Sequence, residues 1–303
     1  MGGVKRAKPK PLKRGDRIGV VAPSGPVDTE RLERGCEALR AQGYDVALGD
    51  YVHERERYFA GSAEHRACDL NRMLRRDDVQ AVLCARGGYG ANYLLPRLET
   101  GILRGSPKWF GGYSDATVLL TQIHDRSGIP VLHAPLIAGD WDREGGVGLE
   151  SWHAVVAGRL HNFEVPVTLR EGTAEGKLYG GCLSLLAAAC GTPYAPQTED
   201  SVLFFEDLNE PAYKIDRMLR HLELAGKLKC VNAIVFGAMT NCGDNLAQDL
   251  LEILRWFKKP VAFGLPSGHV AGAHQTLPFG VQVRLIAGAS GAKLEMLEAA
   301  AEV

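Results

Sequence analysis

Three stretches hold residue types that would perform acyl transfer if the fold brought them together: a serine on a tight turn, a carboxylate ending an apolar strand, and a histidine among glycines. The first is Trp109-Phe-Gly-Gly-Tyr-Ser-Asp-Ala116, an apolar run that meets two glycines, places Tyr113-Ser114-Asp115 on a turn and continues as a helix through Leu119, Leu120 and Ile123. A serine held on such a turn projects its hydroxyl out of the fold, beside helix-start amides able to bind an anion. This is the mechanics of a nucleophile elbow. The usual Gly-x-Ser-x-Gly is half present, because Gly112 leads but Ala116 takes the second glycine's place. A Ser/Asp helix cap accounts for the same residues.

The second stretch, Ser201-Val-Leu-Phe-Phe-Glu-Asp207, runs an apolar strand into two acids. Neighbouring strand residues point to opposite faces, so at most one of Glu206 and Asp207 reaches a given site. Solvated acids, with Asn209 capping the next helix, are the alternative. The third stretch, Gly264-Leu-Pro-Ser-Gly-His269, again follows a strand. An imidazole is the side chain suited to general base work near neutral pH, and an ordinary surface histidine is the competing reading. His269 and His274 stand five apart, which does not suit a helical zinc pair, and no third ligand is near; no metal is expected.

A fourth segment, Arg86-Gly-Gly-Tyr-Gly90, sits between a strand and a helix where phosphate-cradling loops occur. Tyr93 occupies the third glycine position of Gly-x-Gly-x-x-Gly, so a nucleotide site is poorly supported. The loop can instead bring bare amides to a substrate oxygen while Arg86 clamps a carboxylate, or it can be a turn that needs positive φ.

These residues need a scaffold, and the periodicity supplies one. Apolar strands at Gly15–Ala22, Tyr44–Leu48, Val79–Ala85, Trp109–Gly112 and Ile129–His133 alternate with amphipathic helices at Asp28–Gln42 and Ser62–Arg75, a helix through Leu94, Leu95 and Leu98, and the helix after Ser114. Such alternation predicts a doubly wound parallel sheet over residues 15–140, with ligands at the carboxyl ends of its strands. The loops Pro23–Pro26, Arg86–Gly90 and Gly112–Asp115 all lie at those ends. Residues 141–170, polar and containing Trp141 and Trp152, read as a linker. From 171 to 303 the pattern predicts a smaller β-rich, barrel-like α+β domain: six short strands, a hairpin at Gly288-Ala-Ser-Gly291, and helices at Leu183–Ala189 and Glu210–Ala225.

The chain of 303 residues has 46% hydrophobic and 23% charged residues, ordinary for a globular fold with an ample core. A net charge of -1 makes no case for nucleic acid or an anionic membrane as partner. The basic run Lys5–Arg14 reads as a disordered tail over residues 1–14. Seven cysteines, odd in number and without a Cys-x-x-Cys pair, read as reduced buried thiols. With no apolar core of a signal peptide and no long apolar run, the expected setting is cytoplasmic.

Taken in order, the pieces resemble the serine LD-carboxypeptidases, which include muramoyl-tetrapeptide carboxypeptidases and microcin C immunity peptidases. The resemblance spans about Gly15 to Gly280. It rests on Gly15-Asp-Arg-Ile-Gly-Val-Val-Ala-Pro-Ser-Gly25, Ala85-Arg-Gly-Gly-Tyr-Gly90, Gly111-Gly-Tyr-Ser-Asp-Ala-Thr117, Leu132-His-Ala-Pro135, Gly180-Gly-Cys-Leu-Ser184, Phe205-Glu-Asp with Ile215-Asp-Arg-Met-Leu219, and Gly264-Leu-Pro-Ser-Gly-His269 with Thr276-Leu-Pro278. The resemblance implies a flavodoxin-like first domain, a β-rich second one and a Ser-His-Glu triad. By position, Ser114 is then the nucleophile, His269 the base and Glu206 the residue orienting it. The amides of Asp115 and of Gly87 or Gly88 form the oxyanion hole, and Arg86 and Tyr113 lie at the substrate. It further implies a murein tetrapeptide substrate losing its terminal D-alanine, no cofactor, and a homodimer. Cleavage of a peptidyl-nucleotide and non-catalytic binding in the same cleft are the competing functions.

Overall fold

The computed structural model describes residues 7–302. Its first half builds β1 (Arg17–Val21), α1 (Thr29–Ala41), β2 (Asp45–Leu48), α2 (Ala63–Arg75), β3 (Ala81–Cys84), α3 (Ile102–Gly105), β4 (Trp109–Gly112), α4 (Thr117–Ser127), β5 (Val131–His133) and α5 (Leu149–Val156). Local chemistry explains the helix starts. Asp28 and Ser62 cap α1 and α2, each accepting a hydrogen bond from an amide three residues on. The strands lie in the order β2-β1-β3-β4-β5, all parallel, which is the flavodoxin-like order. Strands β3 and β4 are wholly buried, as a sheet covered on both faces requires.

The second half builds β6 (Asn162–Val165), β7 (Val167–Arg170), β8 (Gly172–Cys182), α6 (Leu183–Ala189), β9 (Ser201–Leu208), α7 (Ala212–Leu224), β10 (Ala233–Thr240), α8 (Leu246–Ile253), β11 (Val261–Phe263), β12 (Leu277–Phe279), β13 (Gln282–Gly288) and β14 (Gly291–Met296). Eight strands form one mixed sheet in the order β6-β14-β13-β8-β9-β10-β11-β7. The expected barrel-like closure is absent. The edges β6 and β7 are consecutive in the chain but do not pair with each other, and Pro166, which has no N–H to give a ladder, separates them.

The two halves interlock more than their sequence suggests. Strand β12 leaves the second half to pair antiparallel with β5, Leu277 opposite His133, and so completes the first sheet. The segment expected as a linker, 141–170, holds α5 and both edge strands of the second sheet. Alternation along β9 divides its side chains between two cores. Val202 and Phe204 join the large cluster shared with the first sheet, while Leu203 and Phe205 join the smaller one under α7 and α8.

The expected disordered tail is also corrected for residues 7–14. Leu12 is buried and donates its amide to Val156, and the Lys10 carbonyl accepts from the Trp109 indole at 2.9 Å. Burial of Leu12 and satisfied backbone groups outweigh the basic composition; the rest of the predicted tail, residues 1–6, lies outside the described residues. All seven cysteines are free, but Cys68 and Cys230 are exposed rather than buried. No helix among the described residues is long and apolar enough to cross a membrane.

Candidate active site

Ser114 sits between β4 and α4 with φ of +58°, a conformation that costs a non-glycine residue energy and is kept only where the surroundings enforce it. Packing around Gly112 and a hydrogen bond at Asp115 enforce it. Gly112 lies so close to Cys84 and Ala116 that a Cβ there would stand 2.9 Å from the thiol and 3.1 Å from the alanine methyl. Because Gly112 yields this room, Ala116 is tolerated where the elbow motif has glycine. Asp115, 3% exposed, turns its carboxylate to accept from the Ala91 amide at 2.8 Å. Its side chain therefore anchors the turn, whereas only its amide was expected to matter.

The glycine loop comes next. Gly25, after β1, donates to the Gly87 carbonyl at 3.1 Å, so the loops following β1, β3 and β4 do converge, at the carboxyl ends of three adjacent parallel strands. Planarity of the 87–88 peptide then aims the Gly88 N–H away from Gly25. A Cβ on Gly87 would fall 2.9 Å from Ser114 Oγ, so only glycine lets this backbone approach the hydroxyl. Among the described residues, the amides of Gly87, Gly88 and Asp115 have no protein acceptor.

The base arrives on a segment that leaves the second sheet after β11 and enters the first as β12. His269 Nε2 lies 3.1 Å from Ser114 Oγ, and its Nδ1 lies 2.7 Å from Glu206 Oε2. Glu206 is fully buried near the carboxyl end of β9, and its neighbour Asp207 points the other way to accept from the Ser184 amide at 2.7 Å. Period-two alternation thus selects Glu206 as the acid facing the imidazole. Gly268, at φ +102°, packs against Glu206, and a Cβ there would sit 2.6 Å from the carboxylate oxygen.

A dock under this triad sets the distance between the halves. Cys182 pairs with Glu206 across β8 and β9, and the Cys182 amide donates to Thr117 Oγ1 on α4 at 3.0 Å. The sequence signal for that dock was Gly180-Gly181, whose missing side chains let β8 touch Phe204 and Thr117.

Electrostatics follow from burial and pairing. Burial pulls the His269 imidazole down, but the hydrogen bond and charge of Glu206 more than offset it and hold the pKa above the ordinary 6.5. Burial raises Glu206 above the usual carboxylate range, with His269 acting in the opposite sense. A serine hydroxyl bonded to an imidazole that is oriented by a buried carboxylate can be deprotonated as it attacks a carbonyl. No cluster of three or more His, Cys, Asp or Glu suited to a metal ion occurs among the described residues.

Two family models match this chain: the LD-carboxypeptidase N-terminal domain over residues 18–134 and the LD-carboxypeptidase C-terminal domain over residues 175–285. The chain belongs to the LD-carboxypeptidase family. This LD-carboxypeptidase is a hydrolase of the serine carboxypeptidase class. It is 35% identical to a probable murein peptide carboxypeptidase of Bacillus subtilis, covering 86% of each chain. It is also 35% identical to the murein tetrapeptide carboxypeptidase of Pseudomonas aeruginosa, over 87% of this chain and 91% of that one. Among solved structures, muramoyltetrapeptide carboxypeptidase of Oxalobacter formigenes shares 30% identity with a TM-score of 0.82, covering 93% of this chain and 99% of that one. An MccF-like protein of Bacillus anthracis shares 26% with a TM-score of 0.88, covering 96% and 99%.

Within this LD-carboxypeptidase, Arg86 lines an open cleft of about 540 Å³ with Gly25, Pro26, Tyr58, Gly88 and Tyr89, and spends one guanidinium N–H on the Pro26 carbonyl at 3.0 Å. Tyr113 does not face that cleft. It is buried, its ring edge-on to His269 at 5.0 Å between centroids and within electrostatic reach of the Asp140 carboxylate. Trp141 and Trp152 pack on each other in the core and are closed to any ligand. Sequence reasoning missed Tyr58 and Arg66. Buried Arg66 ties together the carbonyls of Pro23, Gly61 and Gly90 behind the glycine loop, and only their tertiary proximity reveals it.

Proposed function

We propose that this protein releases the terminal D-alanine from cytoplasmic murein tetrapeptides, cutting after the L-centre of the diamino acid, in recycling of cell-wall peptides. The observation that carries the reading is the continuous chain from Ser114 Oγ through His269 to Glu206, at 3.1 and 2.7 Å. The murein peptide and tetrapeptide carboxypeptidases among its relatives supply the substrate class.

In this mechanism His269 Nε2 takes the Ser114 proton as the hydroxyl oxygen attacks the scissile carbonyl. Glu206 holds the Nδ1–H tautomer and stabilises the imidazolium. The amides of Asp115 and the Gly87-Gly88 loop receive the oxyanion; losing one such donor costs about 3–4 kcal/mol. The imidazolium then protonates the leaving amine of D-alanine. Water, deprotonated by the same imidazole, releases the acyl group from Ser114. Arg86 meets a substrate carboxylate at the cleft rim.

The test is direct: incubate the purified protein with murein tetrapeptide and measure free D-alanine, with Ser114→Ala alongside. Wild-type release that falls by at least about 10³-fold in the variant is expected; no release, or equal release, refutes the proposal. A second reading is favoured by the exposed faces of Tyr58 and Tyr89 on the cleft, which suit a nucleobase. Cleavage of an aminoacyl-sulfamoyl-nucleoside with no action on tetrapeptide would establish that reading instead.

A further inference from the structure

The segment between β5 and α5 has an arginine whose bonds no part of the mechanism uses. Arg143 donates through Nε to Gly139 O at 3.1 Å, through Nη1 to Ala271 O at 2.5 Å, and through Nη2 to Asp140 Oδ1 at 3.0 Å and to Val270 O and Gly272 O, each at 3.2 Å. Three of these acceptors are the carbonyls of the residues immediately after His269. Asp140, 1% exposed, also accepts the Leu136 amide at 2.9 Å, and Tyr113 lies within electrostatic reach of its carboxylate. Tyr113 immediately precedes Ser114. Backbone lacing continues alongside: His274 donates to Gly146 O and Gly148 donates to His274 O.

We infer that Arg143 is a positioning residue for the hydrolysis proposed above: with Asp140 and Tyr113 it sets the distance between nucleophile and base. One end of this tie, Tyr113, belongs to the elbow. The other, residues 270–272, belongs to the segment that delivers His269 from the second sheet. A planar guanidinium with five donors in a fixed fork is the group able to bind several carbonyls and a carboxylate at once, and an ammonium does not reproduce it. The tie touches no reacting atom. It acts on the Ser114–His269 approach, where a displacement of about 1 Å costs about 10²-fold in rate. The cleft carrying Arg86, Tyr58 and Tyr89 lies outside it, so substrate binding is spared.

The inference rests on the tetrapeptidase reading, and the experiment separates the two. Measure kcat and KM for D-alanine release by the wild type, Arg143→Ala, Arg143→Lys, Tyr113→Phe and Arg31→Ala, with the Tm of each. Arg31 pairs with Asp142 on the same segment but reaches neither His269 nor Tyr113, and it controls for general loosening. Expected are a fall of about 30- to 100-fold in kcat for Arg143→Ala with KM changed less than about threefold. Arg143→Lys should recover part of that loss, Tyr113→Phe should show a smaller fall in kcat alone, and Arg31→Ala should keep wild-type kcat. If Arg143→Ala does not fold, Arg143→Lys and Tyr113→Phe carry the test by the same kcat criterion. Unchanged kcat in the Arg143 and Tyr113 variants, an effect confined to KM, or an equal loss in Arg31→Ala would overturn the tie while leaving the activity standing. A wild type inactive on tetrapeptide and on an aminoacyl-sulfamoyl-nucleoside would overturn both.

Discussion

The elbow carrying Ser114 and the segment carrying His269 solve opposite problems. The elbow is held by its own sheet: Gly112 against Cys84, Asp115 on Ala91, Gly87 against the hydroxyl, all within about thirty residues of one another. The base has almost nothing local. Its orienting acid is 63 residues away in sequence, and the serine it serves is 155 away. The elbow is thus a property of one sheet, whereas the base is a property of how two sheets dock. Strain is stored at the first, as φ +58° on Ser114, and long-range hydrogen bonds are concentrated at the second.

That contrast can be broken most sharply at Gly268. Alanine there must adopt φ near +102° and drive a methyl into Glu206, so both acid and base move while the elbow is untouched. Gly268→Ala is expected to lower kcat by about 10²-fold or more and to cost about 2 kcal/mol or more of stability, read by D-alanine release and urea unfolding. Near-normal kcat would show that the base segment is not over-determined in the way its contacts imply.

A smaller effect separates the two regions by titration. The imidazole must be neutral to accept the serine proton, and its pKa lies above 6.5 in the fold. A raised pKa means the proton is retained to higher pH, so activity should fall as pH drops through a midpoint above 6.5. The acid limb of the kcat/KM profile measures this. A limb below pH 6 would show that Glu206 does not hold the imidazolium as the geometry indicates.

The smallest effect sits at the dock. Asp125 on α4 accepts the Tyr179 hydroxyl of β8 at 2.8 Å, and burial lifts its carboxyl to about 6. A carboxyl raised in the fold stabilises the fold below its unfolded pKa, and that contribution is lost as pH rises through about 6. Asp125→Asn should therefore raise stability by about 1–2 kcal/mol near pH 7.5 and by nothing near pH 4. Equal effects at both pH values would assign the change to packing instead.

Much of the first region was legible from residue order because its determinants are local. Helices α1 and α2 begin just after Asp28 and Ser62, where the spacing put their starts, β4 has the bounds its apolar run indicated, and the strands pair in parallel as alternation predicts. The second region was legible as elements but not as a shape. Its hairpin pairs Gly288 with Gly291 as expected, while α5, α8 and the strands around Pro166 went unread because their patterns are short or interrupted. Asn209 does not cap α7, since at φ +60° it turns the chain before Pro211 does.

By itself, then, the sequence determined a doubly wound sheet with glycine-lined loops at its strand ends, and the serine, acid and histidine able to do acyl chemistry. Those are consequences of periodicity, turn chemistry and side-chain pKa, which act within a few residues. The tertiary structure decided which acid faces the histidine, that Tyr113 supports the site from behind while Tyr58 lines the cleft, and that an arginine in an apparent linker spans the two halves. Such outcomes depend on contacts between segments far apart in the chain, 63 positions for Glu206 with His269 and 128 for Arg143 with Ala271, and no local pattern encodes where a docked surface will place a guanidinium.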